Sequence, residues 1–134
     1  MITIYTSHNS NSSRKAKAWL RKYQIPFVEQ NIFTTPPSYQ DFKRILSRTE
    51  NGTADIISTR SKAYRQLKSR LHDDLSLRQL HDLIRTHPGL LRRPLIIDER
   101  RLQIGYNVDD IRQFLPRRLR RLELIEAQRK ADAA

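Results

Sequence analysis

Apolar residues come in short, separate clusters, and the spacing inside each cluster predicts a different element. Ile2-Thr3-Ile4-Tyr5-Thr6 is filled with β-branched and aromatic side chains and ends in a polar turn, which predicts a strand. Its alternation is too weak for a strand with one wet face, so a central place in a sheet is expected. Ala16, Trp19, Leu20 and Tyr23 then recur at helical spacing, with Arg14, Lys15, Lys17, Arg21 and Lys22 on the other faces. A helix opening near Arg14 is expected, capped by Ser12 or Ser13. The run from Ile25 to Ile32 predicts a second strand, with Pro26 near its start, where a missing amide donor is tolerated.

Thr34-Thr35-Pro36-Pro37 breaks the pattern, and Ser38-x-x-Asp41 resembles a capping box for a helix through Phe42, Ile45 and Leu46. Asn51-Gly52 is a turn signal, because both residue types tolerate positive φ. It leads through Ile56-Ile57-Ser58-Thr59-Arg60 into a basic helical stretch from Lys62 to Leu71. Ser76-x-x-Gln79 caps a further helix with Leu77, Leu80, Leu83 and Ile84 on its apolar side, and His87-Pro88-Gly89 stops it. Leu95-Ile96-Ile97 and Leu102-Gln103-Ile104 flank Asp98-Glu99-Arg100 as a hairpin. Asn107-x-x-Asp110 predicts a capped helix carrying Ile111, Phe114 and Leu115 and ending at Pro116. Beyond it, only a charged, arginine-rich segment runs to Ala134.

The order is β-α-β, a helical block, then β-β-α, which is the thioredoxin-like plan. The expected fold is α/β, a mixed four-stranded sheet with an inserted helical block. Residues 1–34 and about 88–116 form the thioredoxin-like core, about 35–87 the insertion and 117–134 a basic C-terminal segment. With 134 residues the chain has the size of one domain.

Composition narrows the chemistry. The chain contains no cysteine, which excludes disulfides, thiolate metal sites and thiol catalysis. His8, His72, His81 and His87 lack ligand spacing, so neither a metal nor a cofactor is expected, and no enzyme activity. No run approaches the roughly 18 apolar residues of a membrane span, and the N-terminus lacks a signal-peptide pattern, so a cytoplasmic protein is expected. The net charge of +12 attracts polyanions or an acidic protein partner. Between Arg85 and Arg121 ten arginines face four acidic residues, most densely at Arg117-Arg118-x-Arg120-Arg121. An acidic protein surface is the first candidate there and DNA phosphate the second. No helix-turn-helix, zinc finger or aromatic platform is present to read bases.

The chain closely resembles the Spx branch of the arsenate-reductase-like (ArsC) family. Matching stretches are Tyr5-Thr6-Ser7, Arg14-Lys15-Ala16, Ala18-Trp19-Leu20, Ile25-Pro26-Phe27-Val28-Glu29 and Asn31-Ile32-Phe33. Gly52-Thr53, the run Ile56 to Lys62, the run His87 to Pro94, and Arg101-Leu102-Gln103 through Gly105-Tyr106-Asn107 are similar nearly letter for letter. The resemblance implies a stress-response transcription regulator that binds the C-terminal domain of the RNA polymerase α subunit. It places Gly52 at the polymerase contact, with Arg60 and Lys62 as basic positions touching phosphate or the acidic surface of α. A turn role for Gly52 and a solvated helix face for the two cations are the plainer readings. The family carries an arginine where this chain has Ser47, and here Arg48 follows one step later, turned by about 100 degrees on a helix. The resemblance also places Pro94 at the family's cis-proline and gives the small-residue end, Ala133-Ala134, a role in ClpXP recognition.

The family's Cys-x-x-Cys is replaced by Ser10-Asn11-Ser12-Ser13. Serine forms no reversible disulfide, so Ser10 and Ser13 are former redox positions, and arsenate reduction lacks its nucleophile. Three readings of the turn remain: a helix cap, a Ser10 nucleophile with His8 as base, or an anion pocket built from Ser10, Ser13, Arg14 and Arg92. The last would make the chain an inactive anion-binding relative of the reductases.

Overall fold

The computed structural model describes residues 1–72 and 74–133. Its elements are β1 (Ile2–Thr6), α1 (Asn11–Lys22), β2 (Phe27–Asn31), α2 (Tyr39–Leu46), α3 (Lys62–Leu67), α4 (Leu77–Thr86), β3 (Leu95–Ile97), β4 (Leu102–Ile104) and α5 (Arg117–Ala133). Short 3₁₀ turns lie at Gly52–Asp55, Lys68–Arg70, Pro88–Leu90 and Asp110–Phe114. The sheet is mixed, in the order β2-β1-β3-β4, with β1 parallel to β2 and antiparallel to β3. β3 and β4 form the expected hairpin. No helix among the described residues is long and apolar enough to cross a membrane.

The weak alternation of β1 is explained by its central place, because both of its faces are covered. Ile2 and Ile4, with Ile96 of β3, pack against Ala16, Trp19 and Leu20 of α1 and against Ile111 and Phe114. On the opposite face Tyr5, Leu95 and Ile97 meet Phe42 and Ile45 of α2 and Leu80, Leu83 and Ile84 of α4. The two-residue period of a strand sorts these side chains between the layers. Burial pushes the Tyr5 phenol up to about 12.

Several boundaries differ from the sequence expectation. α1 begins at Asn11, and its cap is Ser10, neither Ser12 nor Ser13. The helix expected after Asn107 is a 3₁₀ turn: Asn107 Oδ1 accepts from the N–H groups of Asp109 and Asp110, but Pro116 forces Leu115 into an extended conformation before an α-helix can grow. The basic helix after Ser61 is α only to Leu67 and continues as the 3₁₀ turn Lys68–Arg70. The charged segment after Pro116 is the helix α5, built, apart from Ile125 and Asp132, from Arg, Leu, Glu, Ala, Gln and Lys, all strong helix formers. It has no continuous apolar stripe: Leu119 packs on the core, while Leu122, Leu124 and Ile125 remain exposed.

Candidate functional site

The serine turn caps α1. Ser10 Oγ accepts from the Ser13 N–H at 3.0 Å, which satisfies one orphan donor of the helix start, and its carbonyl accepts from the Arg14 N–H in the first intrahelical bond. Ser13 faces inward and is fully buried, and among the described residues its hydroxyl has no hydrogen-bond partner. A thiol is larger, more apolar and a weaker donor, so this position suits a cysteine better than the serine it holds. Among the described residues His8 makes no side-chain hydrogen bond to Ser10, and no carboxylate orients its ring. The nucleophile reading therefore has no geometry behind it.

A cleft of about 650 Å³ opens beside the turn, lined among others by His8, Ser10, Phe33, Ser58, Arg92 and Arg93. Of the four expected anion-pocket residues, the fold brings Ser10 and Arg92 together. Ser13 is sealed beneath the helix start, and Arg14 is tied back to the His8 carbonyl and Asn11 Oδ1. Arg93 takes its place: the guanidinium lies 5.5 Å from the centroid of the Phe33 ring, and burial pulls its pKa below the usual value. The Arg93–Pro94 bond is cis, as the family resemblance implied. Nothing in the sequence distinguished Arg93 from Arg92; Phe33 carried a signal, an aromatic residue between the end of a strand and a polar turn.

The segment around Gly52 is joined to this cleft. Gly52 has φ +74, and a Cβ built there would meet no atom within 4 Å. The turn is held by Asp55, whose carboxylate accepts from the N–H groups of Asn51 at 2.9 Å and Glu50 at 3.1 Å. The Asn51 N–H holds the Asp55 carboxyl below the usual carboxylate range, helped by the Asn51 side chain, Glu50 and Arg92. Arg92 in turn donates to the Asp55 carbonyl at 3.2 Å, and its N–H donates to the Ile56 carbonyl. The Gly52 turn and the serine-turn cleft thus share one strut.

Arg60 and Lys62 are exposed on either side of Ser61, the cap of α3. Thr53, Thr59 and Tyr64, close neighbours of Gly52, Arg60 and Lys62, line a single groove of about 520 Å³ with an apolar floor that includes Ile57 and Leu80. Arg48 is half-buried and spent on its own chain, donating to the carbonyls of Arg44 and Glu99. Ser47 closes α2, its hydroxyl donating to the Arg44 carbonyl. Of the two terminal alanines, Ala133 ends α5 and is exposed, whereas Ala134 lies outside the described residues.

A four-stranded mixed sheet with a cis-proline beside a strand-to-helix turn defines a thioredoxin-like protein, here with the turn's thiols replaced by hydroxyls. The ArsC family profile matches residues 5–114. Over 132 residues the chain is 55% identical to the global transcriptional regulator Spx of Bacillus subtilis, covering 98% of this chain and 100% of that protein. It is 57% identical, with the same coverage, to the global transcriptional regulator Spx of Listeria monocytogenes. The solved structure of a possible arsenate reductase from Streptococcus mutans superposes with a TM-score of 0.70 at 28% identity, over 83% of this chain and 97% of that one. The chain belongs to the ArsC family, and within it to the Spx type, without the cysteine pair.

Proposed function

We propose that this protein is a global transcription regulator that docks on the C-terminal domain of the RNA polymerase α subunit and modulates stress-response transcription without a thiol switch. The supporting observation is the Gly52 turn. Its positive φ and the open space where a Cβ would stand leave bare backbone facing outward, as close docking of a partner requires. Exposed Arg60 and Lys62, next in sequence to the groove-lining Thr59 and close to Tyr64, suit an acidic partner, while Arg48 frees its guanidinium for a partner only by releasing the Arg44 and Glu99 carbonyls. Full-length similarity to proteins named as transcriptional regulators supports the same reading.

Isothermal titration of the chain with isolated α C-terminal domain tests it. Binding is expected for the unmodified chain and not for Gly52→Arg. The new side chain would enter open space, so the substitution costs the fold only the strain of a non-glycine residue at positive φ, about 1–2 kcal/mol. Equal binding by a folded Gly52→Arg variant refutes the placement. A second reading, an inactive anion-binding relative of the reductases, draws on Ser10, Arg92 and Arg93 around the cleft. It predicts no α binding and a melting temperature raised by millimolar phosphate.

A further inference from the structure

A third cleft, of about 690 Å³, lies between the β3–β4 turn and the start of α5. Arg100 and Arg101 line it from the hairpin; Arg117, Arg120 and Arg121 line it from the helix. No carboxylate lines it. The neighbouring acids are occupied elsewhere: Asp98 accepts the backbone N–H groups of Arg100 and Arg101, Glu99 pairs with the N-terminus, and Glu123 pairs with Arg112. Among the described residues none of the five arginines takes part in an ion pair.

Among the described residues, Arg120 alone of the five has side-chain hydrogen bonds, donating to the carbonyls of Leu115 and Gln113. Arg100, Arg101, Arg117 and Arg121 crowd like charge into one cleft with no carboxylate in contact with their guanidinium groups among the described residues, an arrangement whose mutual repulsion is only partly offset by Asp98 in the turn. The first turn of α5 holds no acidic residue, although a helix start favours carboxylates. An external polyanion would reverse both penalties.

We infer that this cleft binds the phosphodiester backbone of duplex DNA, without reading sequence. Guanidinium and hydrocarbon make up its side-chain lining, Phe114, Leu115, Pro116 and Leu124 supplying the hydrocarbon. No acceptor side chain is there to take the peptide N–H groups of an acidic protein segment, which a buried segment requires. Phosphates need only charge and N–H donors, which the arginine forks supply bidentately, and they leave the bases outside the contact. None of the five arginines belongs to the surface proposed for α, so the contact is additional to that docking.

The test is fluorescence anisotropy of the full chain with a labelled duplex of mixed sequence, titrated over a series of salt concentrations, with no polymerase present. The α contact therefore has no influence on the outcome. Binding is expected to weaken with salt with a log–log slope of about 0.9 per contacted phosphate. Arg100→Ala/Arg117→Ala/Arg121→Ala, which leaves the structural Arg120 in place, is expected to flatten that slope by about 0.9 per arginine removed. Circular dichroism confirms that this variant is folded. A charge-matched control, Lys15→Ala/Lys22→Ala/Lys68→Ala, is expected to keep most of the slope. Equal losses in both variants would mean diffuse attraction to the net charge and overturn the inference. So would a glutamate-rich peptide that binds more tightly than the duplex and is lost with the arginine variant alone.

Discussion

Truncating Ser10 and Ser13 one at a time separates two roles that lie three residues apart. Ser10→Ala removes the oxygen that accepts from the Ser13 N–H, so the start of α1 loses its cap. Such losses cost about 1 kcal/mol, within a range of about 0.5–2. Ser13→Ala removes a hydroxyl that is fully buried and has no partner. A buried, unsatisfied polar group costs roughly 1–3 kcal/mol relative to a satisfied one, while deleting one oxygen forfeits only a few tenths in dispersion contacts. The net expectation for Ser13→Ala is therefore a stabilisation of up to about 1 kcal/mol. For a chain of this length, 1 kcal/mol moves the Tm by about 3–5 °C. Urea titration and calorimetry of both variants read the two signs side by side. A Ser13→Ala variant that loses as much stability as Ser10→Ala would show that its hydroxyl is hydrogen-bonded, and would remove the argument that this pocket is shaped for a thiol.

Other outcomes follow from the same geometry. Ser10→Cys/Ser13→Cys is expected to close a disulfide on treatment with diamide, seen by mass as two thiols lost to alkylation, because the cap brings the Ser10 side chain to 3.0 Å from the Ser13 backbone nitrogen; persistence of both free thiols would contradict it. The Asp55 carboxyl is held below its ordinary value, so its contribution to the Gly52 turn is complete above the ordinary carboxylate range and disappears as pH falls through the lowered value. Protection of the Glu50 and Asn51 amides, measured against their intrinsic exchange rates at each pH, should fall over that acidic window in the unmodified chain, and an Asp55→Ala variant should lack that protection already at neutral pH. Arg120→Ala strips the carbonyls of Leu115 and Gln113 of a donor and should raise amide exchange through the first turns of α5 without moving exchange in β1.

The fold was legible in the sequence wherever pattern and cap agreed. The Ser76-x-x-Gln79 signature forms a complete capping box, and the hairpin around Asp98-Glu99-Arg100 lies where the apolar runs placed it. The element order supplied the mixed sheet, and the resemblance supplied the cis peptide before Pro94. Misses cluster where apolar periodicity is silent. α5 leaves most of its surface in water and rests on Leu119, so no stripe announced it, and only its residue propensities could have. The 3₁₀ turn at Asp110–Phe114 carried a helix signal at Asn107, and the proline that truncates it was read as an end and not as a constraint on Leu115. At the serine turn the sequence named the right residues but not their orientation. One hydroxyl faces the cleft and caps, the other is sealed inside, and Arg14 folds back along the turn. The hydrogen bonds of Arg92 to the Asp55 carbonyl and of Arg48 to the Glu99 carbonyl reach backbone in other segments, contacts that depend on tertiary placement and leave no local trace.

The affinity of the chain for the isolated α C-terminal domain, measured once in reducing buffer and once after peroxide treatment, bears most directly on the proposal of a cysteine-free regulator. With hydroxyls at positions 10 and 13 and no cysteine anywhere in the chain, the two dissociation constants should agree within experimental error. The Ser10→Cys/Ser13→Cys variant, run in parallel, shows what a restored switch looks like. No binding in either buffer, or a several-fold change with oxidation in the cysteine-free chain, would contradict the proposal.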